Sequence, residues 1–574
     1  MNIPESFNQM VSSFVSEEAD GLDIVVQFNI QKGDNPFEYS EIDEIEENNH
    51  YFIEIKNKKC AFHPGIHPTP DLSIAIPIQG WILFLEGEIR GMELVMKGWL
   101  KAEGKLSLMK EVEKLFQRDS AKRTLFAPYV SVMTSTADGV RQLQEEKARK
   151  IVRFAYDNCP FYRKIYKGVN IDRFEFTDLP VVDKDMLMKH FHDVVTDSRL
   201  RNIEELHAFV NDEKKPAGTK FKNEFIIVCT SGRSGVPGIF PYNTDAWALS
   251  LIPELRARKV LHKFYNGKVE DKPPKLAFIT SPRKTTASRM RAAHIPSFAQ
   301  TVKIYSVNEP VVDIVHQLNE FQPDAFDGYT YGIHEMACEQ IRGNLNIQPK
   351  RVGVSGEACP ESVRRTIRDA WNIEPYNSYR ASEALTMAFE CDKHAGMHIN
   401  SDLVLLESVD KNNNPLQNGE RGHCLITNLY NYTFPLIRYN IGDKIILSDN
   451  KCTCGLPFPI LDNEIHCFRT FDKIKLIDML GNRLSIEYQD VAPVLDAVPP
   501  ILRWQLRQTG ANRIQLKVIT RRRDDIEKCV PSIRNKFKMF FDLSDSFTCD
   551  VQYAEELKAE MGTAKFKPII NTYN

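Results

Sequence analysis

Strand-like and helix-like segments alternate along the middle of the chain, and this pattern constrains the fold more than any other feature. The apolar runs EFIIVCT, KLAFIT and RVGVSGEA resemble buried strands, and the runs PVVDIVHQLNEF and PESVRRTIRDAW have helical apolar spacing. This alternation predicts a mainly parallel α/β sheet. Each strand-like run ends in a turn rich in Ser, Thr or Gly. Because ligands bind at the carboxyl ends of parallel strands, we expect a binding site there.

Length and composition argue against several classes of protein. A chain of 574 residues should hold about three or four domains. A formal net charge of -3 argues against a general binder of nucleic acid or acidic membranes. The N-terminus has no basic leader and no stretch of about 18 apolar residues occurs, so we expect a cytoplasmic protein without a transmembrane segment. The 12 cysteines lack the spacing of a secreted framework and are expected to be thiols.

Residues 1–118 are predicted to form a self-contained α+β unit. Strands are expected in IVVQFNI, YFIEIKNKKCAF and DLSIAIPI and from Met96 to Leu100, and a last helix is expected in KLSLMKEVEKLF. A first helix is expected from the spacing of Phe7, Met10, Val11, Phe14 and Val15.

The order of these elements resembles the sterol carrier protein type two domain. The segments that carry the resemblance are FNIQ, CAFHPG, PDLSIAI and LEGEIRGMELVMKGWLKAEGKLSLMKEVEKLF. The resemblance implies an apolar tunnel for a lipid or an acyl thioester. An amphipathic helix of this kind is also compatible with a purely structural or dimerising role.

The segment QRDSAKRTLFAPYVSVMTSTADG mixes charged and small polar residues and is predicted to contain a linker, residues 119–139. A helix is expected from Val140 and should end before Pro160. Directly after the strand-like run EFIIV comes VCTSGRSGVPG, whose glycines and hydroxyls could cradle phosphate. An ordinary surface loop is the alternative, because no Gly-Lys-Ser/Thr of a Walker motif follows.

Four further segments have the residue types that nucleotide chemistry needs. They are SGEACPESV, YNSYRASEAL, TFPLIRYNIGDKIIL with Arg438 and Asp443, and ELKAEMGTAKFKPII. Together with CPFYRKIY, DLPVVDKDMLM, GERGHCLITNL, CTCGLPFPIL and FRTFDKIKL, they resemble the adenylate-forming enzymes, most closely the phenylacetate coenzyme A ligase branch. The resemblance covers about residues 140–570. It implies a large α/β adenylating domain, residues 140–467, and a small mobile α+β domain, residues 468–574.

The resemblance implies an ATP-dependent acid–thiol ligase that uses Mg²⁺ and coenzyme A. Lys565 would bridge the carboxylate and the α-phosphate, with Lys567 as the alternative; Ser382 would donate to the α-phosphate and Glu383 would bind Mg²⁺. The remaining nucleotide-binding residues would be Thr230, Ser231, Gly232, Ser234, Gly235, Gly356, Glu357, Tyr379, Asp443 and Arg469. Among them, Asp443 would accept the ribose hydroxyls and Arg469 would support the ribose or phosphate.

The chain departs from the family pattern at several places. Arg380 stands where the family has glycine in Y-G-x-S-E, and Ala564 stands where glycine precedes the terminal lysine. The phosphate loop has Arg233 and Val236, and the hinge reads Phe468, Arg469, Phe471 and Asp472. These changes leave open a degenerate ligase half in a lipid-binding protein.

The segments FECDKHAGMHIN and NKCTCG supply residue types that bind zinc. The resemblance favours His398 over His394 and implies a structural zinc held by Cys391, His398, Cys452 and Cys454. Reduced surface or core cysteines are the alternative.

The fused lipid-carrier-like domain motivates a hydrophobic carboxylic acid, aryl or fatty, as the substrate. Adenylation followed by transfer to a carrier-protein thiol or another acceptor remains open. The resemblance is also compatible with a homodimer, and no nucleic-acid partner is expected.

Overall fold

The architecture comes from a computed structural model of the chain. The structure describes residues 3–31, 49–85, 91–109, 112, 115–116, 129, 132–230, 237–260, 274–295, 301–463, 473–498, 500–557 and 566–573. Within these ranges, no helix combines the length and the apolar character needed to cross a membrane.

The N-terminal region is an α+β unit, as predicted. Its elements are α1 (Ile3–Ser12), β1 (Ile24–Gln31), β2 (Asn49–Lys56), β3 (Lys59–Pro64), β4 (Leu72–Pro77), α2 (Ile78–Leu85), α3 (Gly91–Met96) and β5 (Lys101–Gly104). The strands form one sheet with the order β3-β2-β1-β4-β5. Only the β1–β4 pair of this sheet is parallel.

Aromatic rings fill the core of this N-terminal region. The ring of Phe7 on α1 stacks on Trp81 and Phe62 at centroid distances of 4.4 and 5.0 Å, and it meets Phe28 and Tyr51 at 5.2 and 5.0 Å. The Trp81 indole N–H is still satisfied, because it donates to the Ser6 hydroxyl at 2.7 Å. The helix α1 therefore closes the apolar face of the sheet.

The strand predicted from Met96 to Leu100 is wrong. Helix α3 continues to Met96, and the strand is β5, which begins at Lys101. Gly98 has a φ of 68°, and the Trp99 amide donates to the Leu94 carbonyl at 2.8 Å, which ends the helix with a glycine cap. The first helix is confirmed but ends at Ser12, and Phe14 instead bridges to Phe116. For the last predicted helix, KLSLMKEVEKLF, the structure describes residues 105–109, 112 and 115–116, of which 108, 109 and 112 are helical, and the other four lie outside the described residues.

The central region contains an 11-stranded sheet and a separate two-stranded sheet. Its strands are β6 (Ile226–Cys229), β7 (Ile239–Tyr242), β8 (Lys275–Thr280), β9 (Thr301–Ser306), β10 (Ala325–Tyr329), β11 (Arg351–Ser355), β12 (Tyr376–Ala381), β13 (Leu385–Glu390), β14 (Met397–Ile399), β15 (Val404–Val409), β16 (Arg421–Asn428), β17 (Tyr439–Ser448) and β18 (Ile460–Leu461).

The helices of the central region begin with the long α4, which starts at Ala137 rather than at Val140. They are α4 (Ala137–Asn158), α5 (Pro160–Ile165), α6 (Lys184–Lys189), α7 (Phe191–Val194), α8 (Ile203–Asn211), α9 (Thr244–Leu249), α10 (Ile252–Val260), α11 (Ala287–Ala293), α12 (Val311–Phe321), α13 (Thr330–Arg342) and α14 (Glu361–Trp371). As predicted, α4 ends before Pro160, which begins α5. Short 3₁₀ helices lie at Ser16–Ala19, Val132–Thr134, Phe176–Asp178 and Ser198–Leu200.

The predicted parallel sheet is confirmed for the strands in KLAFIT and RVGVSGEA. The strands β9, β8, β10, β11 and β12 are neighbours in that order, and each adjacent pair is parallel. The strand in EFIIVCT is confirmed as β6, but its place in the parallel sheet is wrong, because among the described residues β6 pairs only with β7, antiparallel, in the two-stranded sheet. The chain reverses after β6, and a hydrogen bond between Thr230 and Gly238 closes the reversal.

The C-terminal region has its own core and its own sheet. Its elements are β19 (Ile474–Ile477), β20 (Arg483–Ile486), α15 (Tyr488–Asp496), β21 (Ile501–Gly510), β22 (Arg513–Thr520), α16 (Asp525–Phe541), β23 (Thr548–Tyr553) and β24 (Ile569–Asn571). The sheet order is β23-β22-β21-β24, and β19 pairs with β20 in a hairpin. Arg503 of β21 forms an ion pair with Glu335 of α13 at 3.0 Å, which holds this region against the central one.

Candidate active site

The segment after β6 returns to its starting point, so its two ends form a narrow neck. The Thr230 amide donates to the Gly238 carbonyl at 3.0 Å, and the Gly238 amide donates to the Thr230 hydroxyl at 2.8 Å. Ser231, Gly232, Ser234 and Gly235, together with Arg233 and Val236, lie outside the described residues. Among the residues of this loop predicted to bind phosphate, Thr230 is thus the one that the structure describes, and it is buried.

Ser382 lies directly beside this neck. It is in the turn between β12 and β13, and its hydroxyl donates to the Cys229 carbonyl at 3.2 Å. The Tyr242 hydroxyl, at the end of β7, donates to the Ser382 carbonyl at 2.9 Å. Two hydrogen bonds therefore join the β12–β13 turn to the β6–β7 hairpin, which brings together two motifs about 150 residues apart in the sequence.

Glu383 is a buried carboxylate next to Ser382. It is 1% exposed, its Oε1 accepts from the Tyr439 hydroxyl at 3.3 Å, and its carbonyl accepts from Asn428 Nδ2 at 3.2 Å. A buried carboxylate needs hydrogen-bond donors or a cation as compensation. The residue type and the burial fit an oxygen ligand for a divalent cation.

Tyr379 and Asp443 form a second polar pair at this edge of the sheet. The Tyr379 hydroxyl, on β12, donates to Asp443 Oδ2 on β17 at 2.8 Å, and both residues are buried. This contact joins two segments that the sequence singled out separately. A two-oxygen acceptor beside an aromatic ring is suited to a ribose next to a base.

Gly356 and Glu357 follow β11 at the same edge. Gly356 has a φ of 77°, and a Cβ at this position would lie 3.2 Å from the Tyr329 ring, so both conformation and space favour glycine. The Glu357 carboxylate accepts from the Tyr331 amide at 3.1 Å and from the Phe566 amide at 3.2 Å. Glu357 therefore joins the start of α13 to the end of the chain.

Arg469 and Lys565 lie outside the described residues, as do Phe468, Phe471, Asp472 and Ala564. Phe566, the residue after Lys565, contacts the central region, because its ring packs on Tyr331 at a centroid distance of 4.9 Å. The Lys567 carbonyl accepts from Gln505 of β21 at 2.9 Å, on the C-terminal sheet. The two candidate lysines thus flank a residue that contacts the central region.

The four predicted metal-ligating residues meet in one cluster. The Cys391, His398, Cys452 and Cys454 ligand atoms all lie within 4.8 Å of one another. The Cys391 and Cys452 sulfurs are 3.5 Å apart, and the Cys454 sulfur lies 3.2 Å from His398 Nε2. His394 instead lies 3.2 Å from the Glu390 carboxylate. Burial raises the pKa of the Cys391 thiol to about 12 and lowers the pKa of the His398 imidazole.

The amino-acid sequence matches known proteins in two separate parts. Residues 8–117 match the SCP-2 sterol transfer family model. The chain is 24% identical over 326 residues to protein CapK of Staphylococcus aureus, which covers 54% of this chain and 63% of that protein. It is 26% identical over 331 residues to the phenylacetate-coenzyme A ligase of Escherichia coli, covering 54% and 68% of the two chains. The chain therefore spans slightly less than two thirds of CapK.

A solved structure extends this likeness to the fold. The structure of 2-hydroxyisobutyryl-CoA ligase in the postadenylation state superposes with a TM-score of 0.57 at 16% identity, over 76% of this chain and 90% of the ligase. The larger part of the chain has the acyl-CoA ligase fold. The chain thus joins an N-terminal SCP-2 domain to an acyl-CoA ligase fold, and the predicted multidomain α/β and α+β architecture is confirmed.

The SCP-2 domain contacts the ligase fold through the turn that follows α3. Lys97 forms an ion pair with Asp245 on α9, and the Lys97 carbonyl accepts from Lys220 Nζ at 3.3 Å. Burial lowers the pKa of Lys220. The turn therefore lies against the helix that follows the β6–β7 hairpin of the ligase fold.

Sequence reasoning missed several buried residues that hold the ligase site in place. Tyr242, Asn428 and Tyr439 hold the Ser382–Glu383 turn from three different strands. Arg256 of α10 forms a buried ion pair with Asp402, with Arg256 Nη1 at 2.8 Å from Asp402 Oδ1. Tyr439 lies within the quoted segment TFPLIRYNIGD, whereas no local signal distinguishes Arg256 from a solvated arginine.

Arg438, which the same segment presents beside Asp443, is part of the scaffold. Its Nε lies 3.1 Å from the Glu407 carboxylate, and its Nη1 donates to the Leu179 carbonyl at 2.8 Å. Its φ of 47° is unusual for a residue other than glycine, and these contacts hold it there. Arg438 therefore fixes the start of β17, which presents Asp443.

Proposed function

We propose that the chain activates a hydrophobic carboxylic acid with ATP through an acyl adenylate and then forms a thioester with coenzyme A. The observation that carries this proposal is the convergence at the carboxyl edge: the Thr230 neck, the Ser382–Glu383 turn and the Tyr379–Asp443 pair meet there. These are the phosphate, cation and ribose groups that the reaction requires. The acyl-CoA ligase fold supports the same activity.

The residue types present fit the nucleotide. Thr230 and the segment Ser231, Gly232, Ser234 and Gly235 would surround the β- and γ-phosphates, because a turn rich in glycine and hydroxyls can direct several N–H and O–H donors at one anion. Tyr379 and Gly356 would border the base, and Asp443 would accept the ribose hydroxyls. A side chain at position 356 would crowd the Tyr329 ring, so the base would meet the backbone of Gly356.

The reaction proceeds in two displacements. The acid carboxylate oxygen attacks the α-phosphorus and pyrophosphate leaves, and the coenzyme A thiolate then attacks the acyl carbonyl and AMP leaves. Negative charge grows on the phosphoryl oxygens in the first step, so oriented donors there lower the barrier. Tyr242 holds the Ser382 carbonyl beside the neck, and the Ser382 hydroxyl, which donates to the Cys229 carbonyl, would turn to donate to the α-phosphate instead. Glu383 would hold Mg²⁺, which would neutralise phosphate charge.

The neighbouring contacts favour Lys565 over Lys567 as the catalytic lysine. Lys565 directly precedes Phe566, whose amide is bound to Glu357 at the carboxyl edge of the large sheet. The Lys567 backbone is instead bound to β21 of the C-terminal sheet. Arg469 is assigned to the ribose or phosphate by the same family pattern. Glu357 would position the terminal segment beside the nucleotide, because its carboxylate accepts from the amides of Tyr331 and Phe566.

Three of the five sheets, with five, 11 and four strands, support a division into three domains, and α4 begins at Ala137, three residues before the proposed start of the large domain. We assign residues 1–118 to the lipid-carrier domain, 119–139 to a linker, 140–467 to the large adenylating domain and 468–574 to the small domain. The fused SCP-2 domain motivates a hydrophobic acid, aryl or fatty, that it would bind and deliver.

The test is pyrophosphate release from ATP with a panel of aryl and fatty acids, followed by mass spectrometry of the thioester after coenzyme A is added. We expect acid-dependent pyrophosphate and a coenzyme A thioester. Pyrophosphate without a thioester would assign the acyl group to a carrier-protein thiol or another acceptor. If none of the acids in the panel causes pyrophosphate release, the ligase proposal is overturned and a lipid-binding protein with a degenerate ligase half is favoured.

The cysteine–histidine cluster is proposed to hold a structural zinc. Three thiolates and one imidazole form a tetrahedral donor set, and four protein ligands leave no open position for substrate. The mutual distances within 4.8 Å fit one small ion. Such an ion would tie the β13–β14 hairpin to the turn at 452–454, and His398 rather than His394 would complete it.

Elemental analysis of the purified chain tests the zinc proposal directly. We expect about one equivalent of zinc in the wild type. The substitution Cys454→Ser should lower both the zinc content and the thermal midpoint of unfolding. The substitution His394→Ala is the matched control and should leave the zinc content unchanged. Zinc well below one equivalent without loss on purification would contradict the proposal.

A further inference from the structure

Arg380 extends from the side of β12 that lies away from the predicted ribose acceptor. Its neighbour Tyr379 reaches Asp443 on β17, whereas Arg380 Nη2 lies 3.2 Å from Glu254 Oε1 on α10. Successive residues of a strand point to opposite faces, so the two side chains lie on opposite faces of β12. Ser382, two residues later, lies beside the neck.

Two guanidinium groups share the Glu254 carboxylate. Arg291 of α11 forms an ion pair with Glu254 Oε2, and the Thr386 hydroxyl donates to Glu254 Oε1 at 3.1 Å. Arg291 also donates to the Ser250 carbonyl at 2.9 Å. Burial lowers the pKa of Arg291, and the nearby charge of Arg380 lowers it further. Of these three charged side chains, two are cations and one is an anion.

The Arg380 guanidinium has hydrogen-bonding capacity left over. Its Nε is buried and has no hydrogen-bond partner among the described residues, and the side chain is 30% exposed. A buried donor without an acceptor is unfavourable, and a charged donor gains most from an anionic oxygen. The Arg256–Asp402 ion pair fixes α10, so Glu254 holds the guanidinium in a defined place.

The proposed nucleotide position leaves the Arg380 face of β12 for the acid. The nucleoside is assigned to the side of Tyr379 and Asp443, and the leaving pyrophosphate to the Thr230 neck. An acid that reaches the α-phosphate beside Ser382 must come from the remaining side, which Arg380 borders.

We propose that Arg380 is a specificity residue that pairs with a second carboxylate of the acid, so that the preferred substrates are dicarboxylates with an apolar body. This assignment rests on the proposed ligase function. It gives a positive role to the one position of Y-R-x-S-E that departs from the family glycine. Arg380 would bind an anionic oxygen in either case, and the α-phosphate is the alternative to the second carboxylate as its partner.

The experiment compares matched acids in the full-length chain by pyrophosphate release. The probes are hexanoate against hexanedioate and 3-phenylpropanoate against phenylsuccinate, with the wild type and the variants Arg380→Met, Arg380→Lys and Arg141→Met. Methionine keeps the length of the side chain, and Glu254 retains Arg291 and Thr386 as partners, so no carboxylate is left unpaired. Arg141 is an exposed arginine paired with Asp138 and is the control.

We expect the wild type and Arg141→Met to favour the dicarboxylate in kcat/KM. Arg380→Met should lower this preference by about 10- to 100-fold with the monocarboxylate rate within about threefold, and Arg380→Lys should retain part of it. An unchanged preference in Arg380→Met overturns the assignment. An equal loss for both acids with a raised KM for ATP also overturns it, because the anionic oxygen is then the α-phosphate. If Arg380→Met does not fold, Arg380→Lys decides. A dicarboxylate preference equal to that of the wild type overturns the assignment, and a reduced preference supports it. Absence of pyrophosphate with every acid in the folded wild type overturns the proposed function itself, together with this assignment.

Discussion

The interior of the SCP-2 domain and the carboxyl edge of the large sheet are both buried, but they bury opposite kinds of groups. Around Phe7 the SCP-2 domain packs aromatic rings on one another, and the Trp81 N–H is satisfied by a single serine. Around Glu383 the ligase fold buries carboxylates, hydroxyls and amides that hydrogen-bond across strands. Apolar packing stabilises a fold directly, whereas buried polar groups cost free energy unless they are paired. The polar edge is therefore the region whose residues are explained by chemistry rather than by stability.

The largest expected effect is on the rate of adenylation and concerns Lys565. The substitution Lys565→Ala should lower adenylation by about 100- to 10,000-fold, because it removes a cation needed while charge develops on the α-phosphate. Thioester formation from a presynthesised acyl adenylate and coenzyme A should stay within about threefold of the parent. Pyrophosphate release and thioester formation are measured separately.

The substitution Lys567→Ala is the matched control for this prediction. If Lys567→Ala abolishes adenylation and Lys565→Ala does not, the two lysines exchange roles. If neither affects adenylation, the C-terminal region does not take part in the reaction as proposed.

The next effect concerns stability in the aromatic core. The substitution Phe7→Ala should destabilise the SCP-2 domain by about 3–5 kcal/mol, since it leaves a cavity among stacked rings. Pyrophosphate release with a water-soluble acid should be unchanged. Ile66→Ala is the control, because Ile66 is 68% exposed, and it should change stability by less than about 0.5 kcal/mol. Denaturant unfolding of the full chain measures both, and equal effects of the two variants would contradict the packing described for this core.

A smaller effect separates the two members of the Tyr379–Asp443 pair. Asp443→Asn should raise the KM for ATP by about 10- to 100-fold, because a charged acceptor for the ribose is lost. Tyr379→Phe keeps the ring and removes only the hydroxyl that donates to Asp443, so its effect should be below about tenfold. Steady-state kinetics with ATP as the varied substrate distinguishes them. A larger loss in Tyr379→Phe would assign the hydroxyl, rather than the carboxylate, to the nucleotide.

The smallest effect is expected where the two regions meet. The Lys97–Asp245 ion pair has an aspartate side chain that is 54% exposed, so each of Lys97→Glu and Asp245→Lys should cost less than about 1 kcal/mol. The double charge exchange should restore the thermal midpoint. A loss above about 2 kcal/mol in either single variant would mean that the SCP-2 domain and the ligase fold depend on each other for stability.

Local sequence patterns predicted those parts of the molecule that local physics determines. Continuous apolar runs identified β8 and β11, and Pro160 marked the end of α4, because each signal acts on neighbouring residues. The strand predicted from Met96 was wrong because Gly98 favours a helix cap that apolar alternation does not reveal. The antiparallel β6–β7 pair depends on the return of the chain at Gly238, which no single segment shows.

The candidate site was predicted in its residue types but not in its contacts. Family motifs named Tyr379, Ser382 and Asp443, yet the Tyr379–Asp443 bond and the Ser382–Cys229 bond join segments 64 and 153 residues apart. Glu254, the partner of Arg380, and Arg291, which shares the Glu254 carboxylate, come from helices with no recognisable motif. Tertiary packing alone brings these charges together, so the sequence identified Arg380 only as a departure.

The most direct test of the central claim follows one oxygen atom. The acid is labelled with ¹⁸O in its carboxylate and converted to the coenzyme A thioester with unlabelled ATP, and the products are analysed by mass spectrometry. Attack of the carboxylate on the α-phosphorus predicts one ¹⁸O in AMP and none in pyrophosphate, because the thiol displaces AMP together with that oxygen. Thioester formed with unlabelled AMP, or with the label in a phosphate derived from the β- or γ-position, would contradict an acyl adenylate and with it the proposed ligase reaction.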